Sequence, residues 1–130
     1  MEYVTGFCKL RQTNLVVLIN SKGLLNGICG SVQNADLPRN TLAKEFFKQT
    51  ELGTSSNDWV HYVTIRSRIK PFPVTHYFFT ISTMASLCKN VVFMDLDDLS
   101  NVTPNLKWLL PLAFNPQCYI FKRPLVLEVA

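Results

Sequence analysis

The amino-acid sequence predicts an α+β domain with a central mixed sheet between helical layers. Three observations predict it. Segments rich in β-branched and aromatic residues fall into two groups, residues 3–20 and 59–82, and each group reads as a pair of strands joined by a polar or proline-containing turn. Between them, apolar residues recur at helical spacing from Pro38 to Glu51. A second apolar segment, Asn105–Phe114, follows a Thr-Pro helix start. Strands, helix, strands, helix is the order of a layered α+β fold.

The chain of 130 residues is read as one domain, 1–130, long enough to bury its own core. Its apolar fraction of 48% and charged fraction of 17% exclude a disordered polyelectrolyte. The longest aliphatic run, Leu15–Ile19, is far short of a membrane span, and residues 1–20 lack the charged and apolar regions of a signal peptide. The expectation is a cytoplasmic protein that makes no use of a membrane. A formal charge of +4 permits anionic ligands, but the basic residues are scattered singly, which favours small anions over nucleic acid. Arg66, Arg68 and Lys70 alternate with Ile65, Ser67 and Ile69, so their ordinary reading is the solvated face of a strand. Cys8, Cys29, Cys88 and Cys118 are widely spaced among apolar neighbours, the pattern of buried free thiols rather than of a zinc or redox pair.

Taken in order, Tyr3–Leu10 and Leu15–Asn20 predict a hairpin across the polar residues 11–14, with a further turn over Asn20–Gly23. Leu24–Cys29 and Ser31–Gln33 are short segments leading into the first helix, with Asp36 or Asn40 as its cap. Gly53–Asn57 ends that unit. Trp59–Arg68 and Val74–Ser82 form a second pair, separated by Lys70-Pro71-Phe72-Pro73, where the prolines forbid continuous pairing. Val91–Leu96 predicts one more strand. Thr103 caps the second helix, with Pro104 in its first turn, and Pro111 inside the segment is expected to end or kink it. The tail, Cys118–Val129, supplies a further strand or covers an edge.

The candidate site is the stretch from Gly23 to Leu52. Asn26, Gly27 and Gly30 suit a tight turn with close backbone approach, followed by Asp36, Pro38 and the helix. This stretch resembles the Nudix box: a glycine, five residues, a glutamate, seven residues, then Arg-Glu, a hydrophobic residue, any residue, two glutamates, any residue, glycine and a hydrophobic residue. Starting at Gly30, Asp36 takes the first acidic position, Lys44 and Glu45 the Arg-Glu pair, and Phe46 and Leu52 the hydrophobic positions. The resemblance extends to Asp58-Trp59-Val60-His61-Tyr62, Val74–Ser82, Met94–Leu99 and Asn105–Leu112, which are similar to the later sheet and closing helix of small, phage-type members. It implies a Nudix-like α/β/α sandwich, and a homodimer as one assembly.

The departures from the box concern chemistry. Lys48 and Gln49 stand where the family carries paired glutamates, and Glu51 where it carries glycine. Residues 45, 48 and 49 share one helix face. Three carboxylates there would hold Mg²⁺ against a substrate diphosphate, whereas a carboxylate, an ammonium and an amide should repel a divalent cation and attract phosphate directly. The same residues also suit the polar side of any amphipathic helix, with Glu45 paired to Lys48.

The expectation is a ligand site of Gly30, Lys44, Lys48, Gln49 and Arg66, with Glu45 as the one remaining catalytic-type residue. No metal is expected, or if one binds, Glu45 and Asp36 hold it. The function expected is a nucleotide- or diphosphate-binding or regulatory module with hydrolysis lost or weak. An active pyrophosphohydrolase using Mg²⁺ and a protein-interaction domain are the alternatives. His61 and His76 have no ligand-type neighbours in sequence and read as structural. Asp95, Asp97 and Asp98 read as a solvated turn, with a replacement metal ligand or base as the other use.

Overall fold

The computed structural model describes residues 1–33, 35–68, 72–83, 90–114 and 124–129. Strand β1 (Glu2–Leu10) is the centre of the sheet. It lies parallel to β6 (Val74–Thr83) over its whole length, from Glu2 opposite Thr75 to Leu10 opposite Thr83. Its other edge is shared. Strand β2 (Leu15–Ser21) pairs with only the C-terminal end of β1, Cys8 with Val17 and Lys9 with Val16. Strand β4 (Ile28–Ser31) takes the N-terminal half, from Tyr3 opposite Ser31 to Gly6 opposite Ile28. The expected hairpin is therefore real but short.

Beyond β6 come β5 (Val60–Ser67), antiparallel, and β8 (Leu125–Val129), parallel to β5. Beyond β2 come β3 (Leu24–Asn26) and β7 (Val92–Asp95), both antiparallel to it. The sheet is mixed, as expected, and the tail does add a strand. The Lys70-Pro71 part of the β5–β6 connection, Cys88, Cys118 and the start of the tail lie outside the described residues. Cys8 is buried and Cys29 half-buried.

Alternation along the strands sorts the core into two layers. Val4, Cys8, Val17, Ile28, Phe79 and Ile81 pack with Leu42 and Phe46 of helix α1 (Pro38–Thr50) and with Trp59. Phe7, Val16, Leu18, Val63 and Phe78 face the other way, against Leu106, Leu109 and Leu110 of helix α2 (Leu106–Phe114). Gly6 lets α1 sit flat on β1, since a Cβ there would meet Leu42 at 2.7 Å and the Trp59 ring at 2.8 Å. The result is an α/β/α sandwich.

Several boundaries differ from the sequence reading. The break before α1 falls at Gly27, where a Cβ would lie 2.6 Å from the Phe7 ring and 2.7 Å from the Gly6 carbonyl. Gly30 is inside β4, opposite Val4, and Val32 and Gln33 belong to no strand. The helix cap is Leu37, not Asp36 or Asn40. Asp36 takes the Leu37 N–H instead (2.9 Å), and Asn40 is already within the helix. Pro111 lies inside α2, which continues to Phe114; one proline removes a single N–H donor and need not stop a helix whose buried face holds it in place.

Candidate functional site

The polar side of α1 lies over β4. Gly30 makes this possible, because a Cβ there would stand 2.6 Å from Cγ of Glu45. Glu45 is thus pressed against the strand, and Gln49, one turn on, secures it. The Gln49 amide donates to Glu45 Oε2 (3.0 Å) and to the Cys29 carbonyl (3.1 Å). Both partners are acceptors, so the amide nitrogen is assigned by the network itself. Glu45 is therefore bonded to Gln49 rather than to Lys48, contrary to the expected pair. Lys48 is exposed on the last turn of α1, with no ion pair among the described residues.

The remaining expected site residues are dispersed. Lys44 turns toward the start of α1 and pairs with Asp36 at 3.4 Å. The Asp36 carboxyl is held below its usual pKa: slight desolvation pushes it up, but hydrogen bonds from Thr41 and Leu37 and the Lys44 charge outweigh that. Asp36 also accepts from the Thr41 hydroxyl (3.1 Å), whereas Glu45 is held by Gln49, so the two carboxylates have different partners. Arg66 lies on β5, two residues beyond Thr64, which is three strands from Gly30 through Val4 and Tyr77, so the separation is roughly 16 Å. It is beside Tyr77, whose phenol bonds Glu2. Asp95 and Asp97 both accept from the Asn14 amide (2.7 and 3.0 Å), which accounts for them as a turn.

On the far side of β4 the structure shows something the sequence reading missed. A cavity of about 440 Å³ opens between the sheet and α2, with Ile65, Phe78, Leu106 and Leu109 as its apolar floor and Thr5, Asn26, His76 and Asn105 as polar groups. Its volume is that of a small-molecule site. Cys29 joins it to the α1 face: its carbonyl holds Gln49, and its sulfur lies 3.3 Å from Thr5 Oγ1 and 3.5 Å from Asn26 Nδ2. Burial pushes the Cys29 thiol pKa up, against the opposing effect of the Thr5 bond.

His76 is built into this wall. Its ring stacks on Phe78 at 4.3 Å and its Nε2 is 2.6 Å from Thr5 Oγ1. Desolvation lowers its pKa to about 4, so the imidazole is neutral at pH 7. In sequence Asn26 reads only as a turn residue beside Gly27, and Asn105 only as the start of the second helical segment. The only hint lay in the asparagines flanking a glycine and a Thr-Pro helix start.

As it stands, the α1 face does not suit a divalent cation. Hard cations need converging oxygens, and the Gln49 N–H groups point at the two oxygens, Glu45 Oε2 and Cys29 O, that would otherwise converge. Among the described residues no group of three His, Cys, Asp or Glu side chains is placed to hold a metal ion. Among the described residues no helix is long and apolar enough to cross a membrane.

No protein-family model matches the sequence, and no curated protein matches it either. Solved structures do. A UDP-X diphosphatase superposes with a TM-score of 0.70 at 14% identity, over 98% of this chain and 66% of the other. The mutator protein MutT from Bacillus halodurans gives 0.63 at 10% identity, over 99% and 90%. A MutT NUDIX hydrolase from Burkholderia pseudomallei gives 0.64 at 10% identity, over 82% and 94%. The chain thus covers just under two thirds of the first of these and nearly all of the other two. What these likenesses show is the fold, an α+β sandwich. That fold is the Nudix fold.

Proposed function

We propose that this chain is a Nudix-fold binding or regulatory module for a nucleotide or other diphosphate-linked small molecule, with metal-dependent hydrolysis lost or weak. The ring of the ligand occupies the cavity between β6 and α2, and its phosphates lie near β4 and the last turn of α1, where Lys48 supplies positive charge. One observation carries the reading. The Gln49 amide occupies the space between Glu45 and the Cys29 carbonyl with two hydrogen bonds of its own, so the carboxylate is held by an amide rather than left for a cation. An ammonium such as Lys48 neutralises phosphate charge but does not activate water.

The active-hydrolase reading is favoured by the names of its structural neighbours, a diphosphatase and a hydrolase. Calorimetric titration of ADP and UDP, in EDTA and in Mg²⁺, separates the two. Binding of equal strength in both, without phosphate release, is expected, and Lys48→Ala should weaken it by about 1–3 kcal/mol. Magnesium-dependent phosphate release from ADP-ribose or UDP-glucose at roughly 1 per second or faster would defeat the proposal.

A further inference from the structure

A second cavity, of about 490 Å³, lies at the other end of β6. His76 and Ser82 mark the two ends and stand six residues apart on one strand, about 20 Å, so one base or one sugar cannot fill both. The chemistry of the second cavity also differs. Hydroxyl side chains of the α1–β5 loop and of β6, among them Thr54, Ser55, Thr80 and Ser82, line it together with Arg11 and Asp58. Phe114 and Val60 add an apolar wall.

We propose that this cavity is a binding site for a neutral polyol of pyranose size, a hexose or hexoside. Three features argue for that class. Arg11 and Asp58 cancel in charge, so a phosphate attracted by one is repelled by the other, whereas a neutral ligand can bond to both. Each hydroxyl is at once donor and acceptor, which suits a partner whose own groups are the same and suits a nucleobase poorly. The hydroxyl of Thr54 accepts from the Trp59 indole N–H at 2.9 Å and keeps its own proton to donate. Phe114 and Val60 offer the apolar contact that the C–H face of a sugar ring needs.

The test is an NMR titration of the isotopically labelled full chain with methyl α-D-glucopyranoside and its galacto and manno epimers, with inorganic phosphate as a parallel probe. At least one glycoside should shift the amides of Thr54, Asp58, Val60 and Ser82 with a saturable midpoint, leaving Asn26 and Asn105 unmoved. Ser82→Ala, at an exposed position that leaves the fold intact, and Asp58→Asn should each weaken that midpoint by about fivefold, the value of one hydrogen bond. Three results overturn the proposal: no saturable shift with any of the three glycosides, shifts of the same amides by phosphate but not by glycosides, or midpoints unchanged in both variants. ADP binding at the first site is measured independently, so failure here leaves that reading standing and failure there leaves this one.

Discussion

Replacing Gln49 by Glu tests the α1 site most directly. The substitution removes the two donors that hold Glu45 and the Cys29 carbonyl and sets a second carboxylate about 3 Å from the first. Two unit charges at that distance repel by about 1.4 kcal/mol in bulk water and about 5.5 kcal/mol at an effective dielectric of 20; the half-buried site lies between. The loss is also bounded. At pH 7 a carboxyl with an ordinary pKa of about 4.3 protonates rather than bear more than about 3.7 kcal/mol. A loss of about 2–4 kcal/mol follows, or about 8–15 °C in melting temperature for a domain of this size. The same change leaves two carboxylates and a carbonyl converging, a hard-cation arrangement. A divalent ion at 100 times its dissociation constant then returns about 2.7 kcal/mol. Thermal melts with and without 10 mM Mg²⁺ or Mn²⁺, about the usual working range, read both effects. Gln49→Leu, which loses the bonds without adding charge, should melt lower and ignore the metal. A wild type that gains as much from metal as Gln49→Glu, or a Gln49→Glu variant that gains nothing, would refute the reasoning.

Gly30→Ala should lower stability by about 1–3 kcal/mol, the range for overpacking, because its Cβ meets Glu45 Cγ at 2.6 Å and α1 must move; urea denaturation reads it. Glu51→Gly should raise the melting temperature, by up to about 1 kcal/mol in stability, since Glu51 ends α1 in the left-handed region at φ 63°, where glycine is unstrained. The sign for His76 follows from its lowered pKa. Its folded-state value of about 4 lies below the unfolded value of 6.5, so the unfolded chain binds the extra proton between them. Its contribution is complete above pH 6.5 and declines as pH falls toward 4, by about 3 kcal/mol in all. Urea midpoints from pH 7.5 to 4.5 should fall, and His76→Gln should flatten that fall; an unchanged slope would show that other groups cause it.

Much of this molecule was legible locally. The β-rich groups 3–20 and 59–82 do form strands, and the helical spacing after Pro38 does give α1, which buries Leu42 and Phe46 but leaves Phe47 exposed. What escaped was set by contacts between distant segments. The parallel pairing of β1 with β6 joins residues 73 apart, as Glu2 with Thr75, and no local pattern announces it. The role of Gly27 depends on Phe7, twenty residues upstream. The cavity lined by Thr5, Asn26, His76 and Asn105 draws on four separate parts of the chain, each polar residue ordinary in its own neighbourhood.

The box residues show the same limit in sharper form. In sequence Lys48 and Gln49 are equivalent departures, each a lost carboxylate on the face of Glu45. In the fold they part: Gln49 is turned inward and bonded to β4, whereas Lys48 is exposed. One hundred degrees of helix rotation separates neighbouring residues, enough to put one beside the strand and the other in solvent. Restoring acidity at position 49 therefore changes what Glu45 can bind, while a change at 48 alters the charge on the exposed side of the helix. A single substitution at Gln49 should consequently create the metal response, and adding Lys48→Glu should modify ligand affinity without being needed for it.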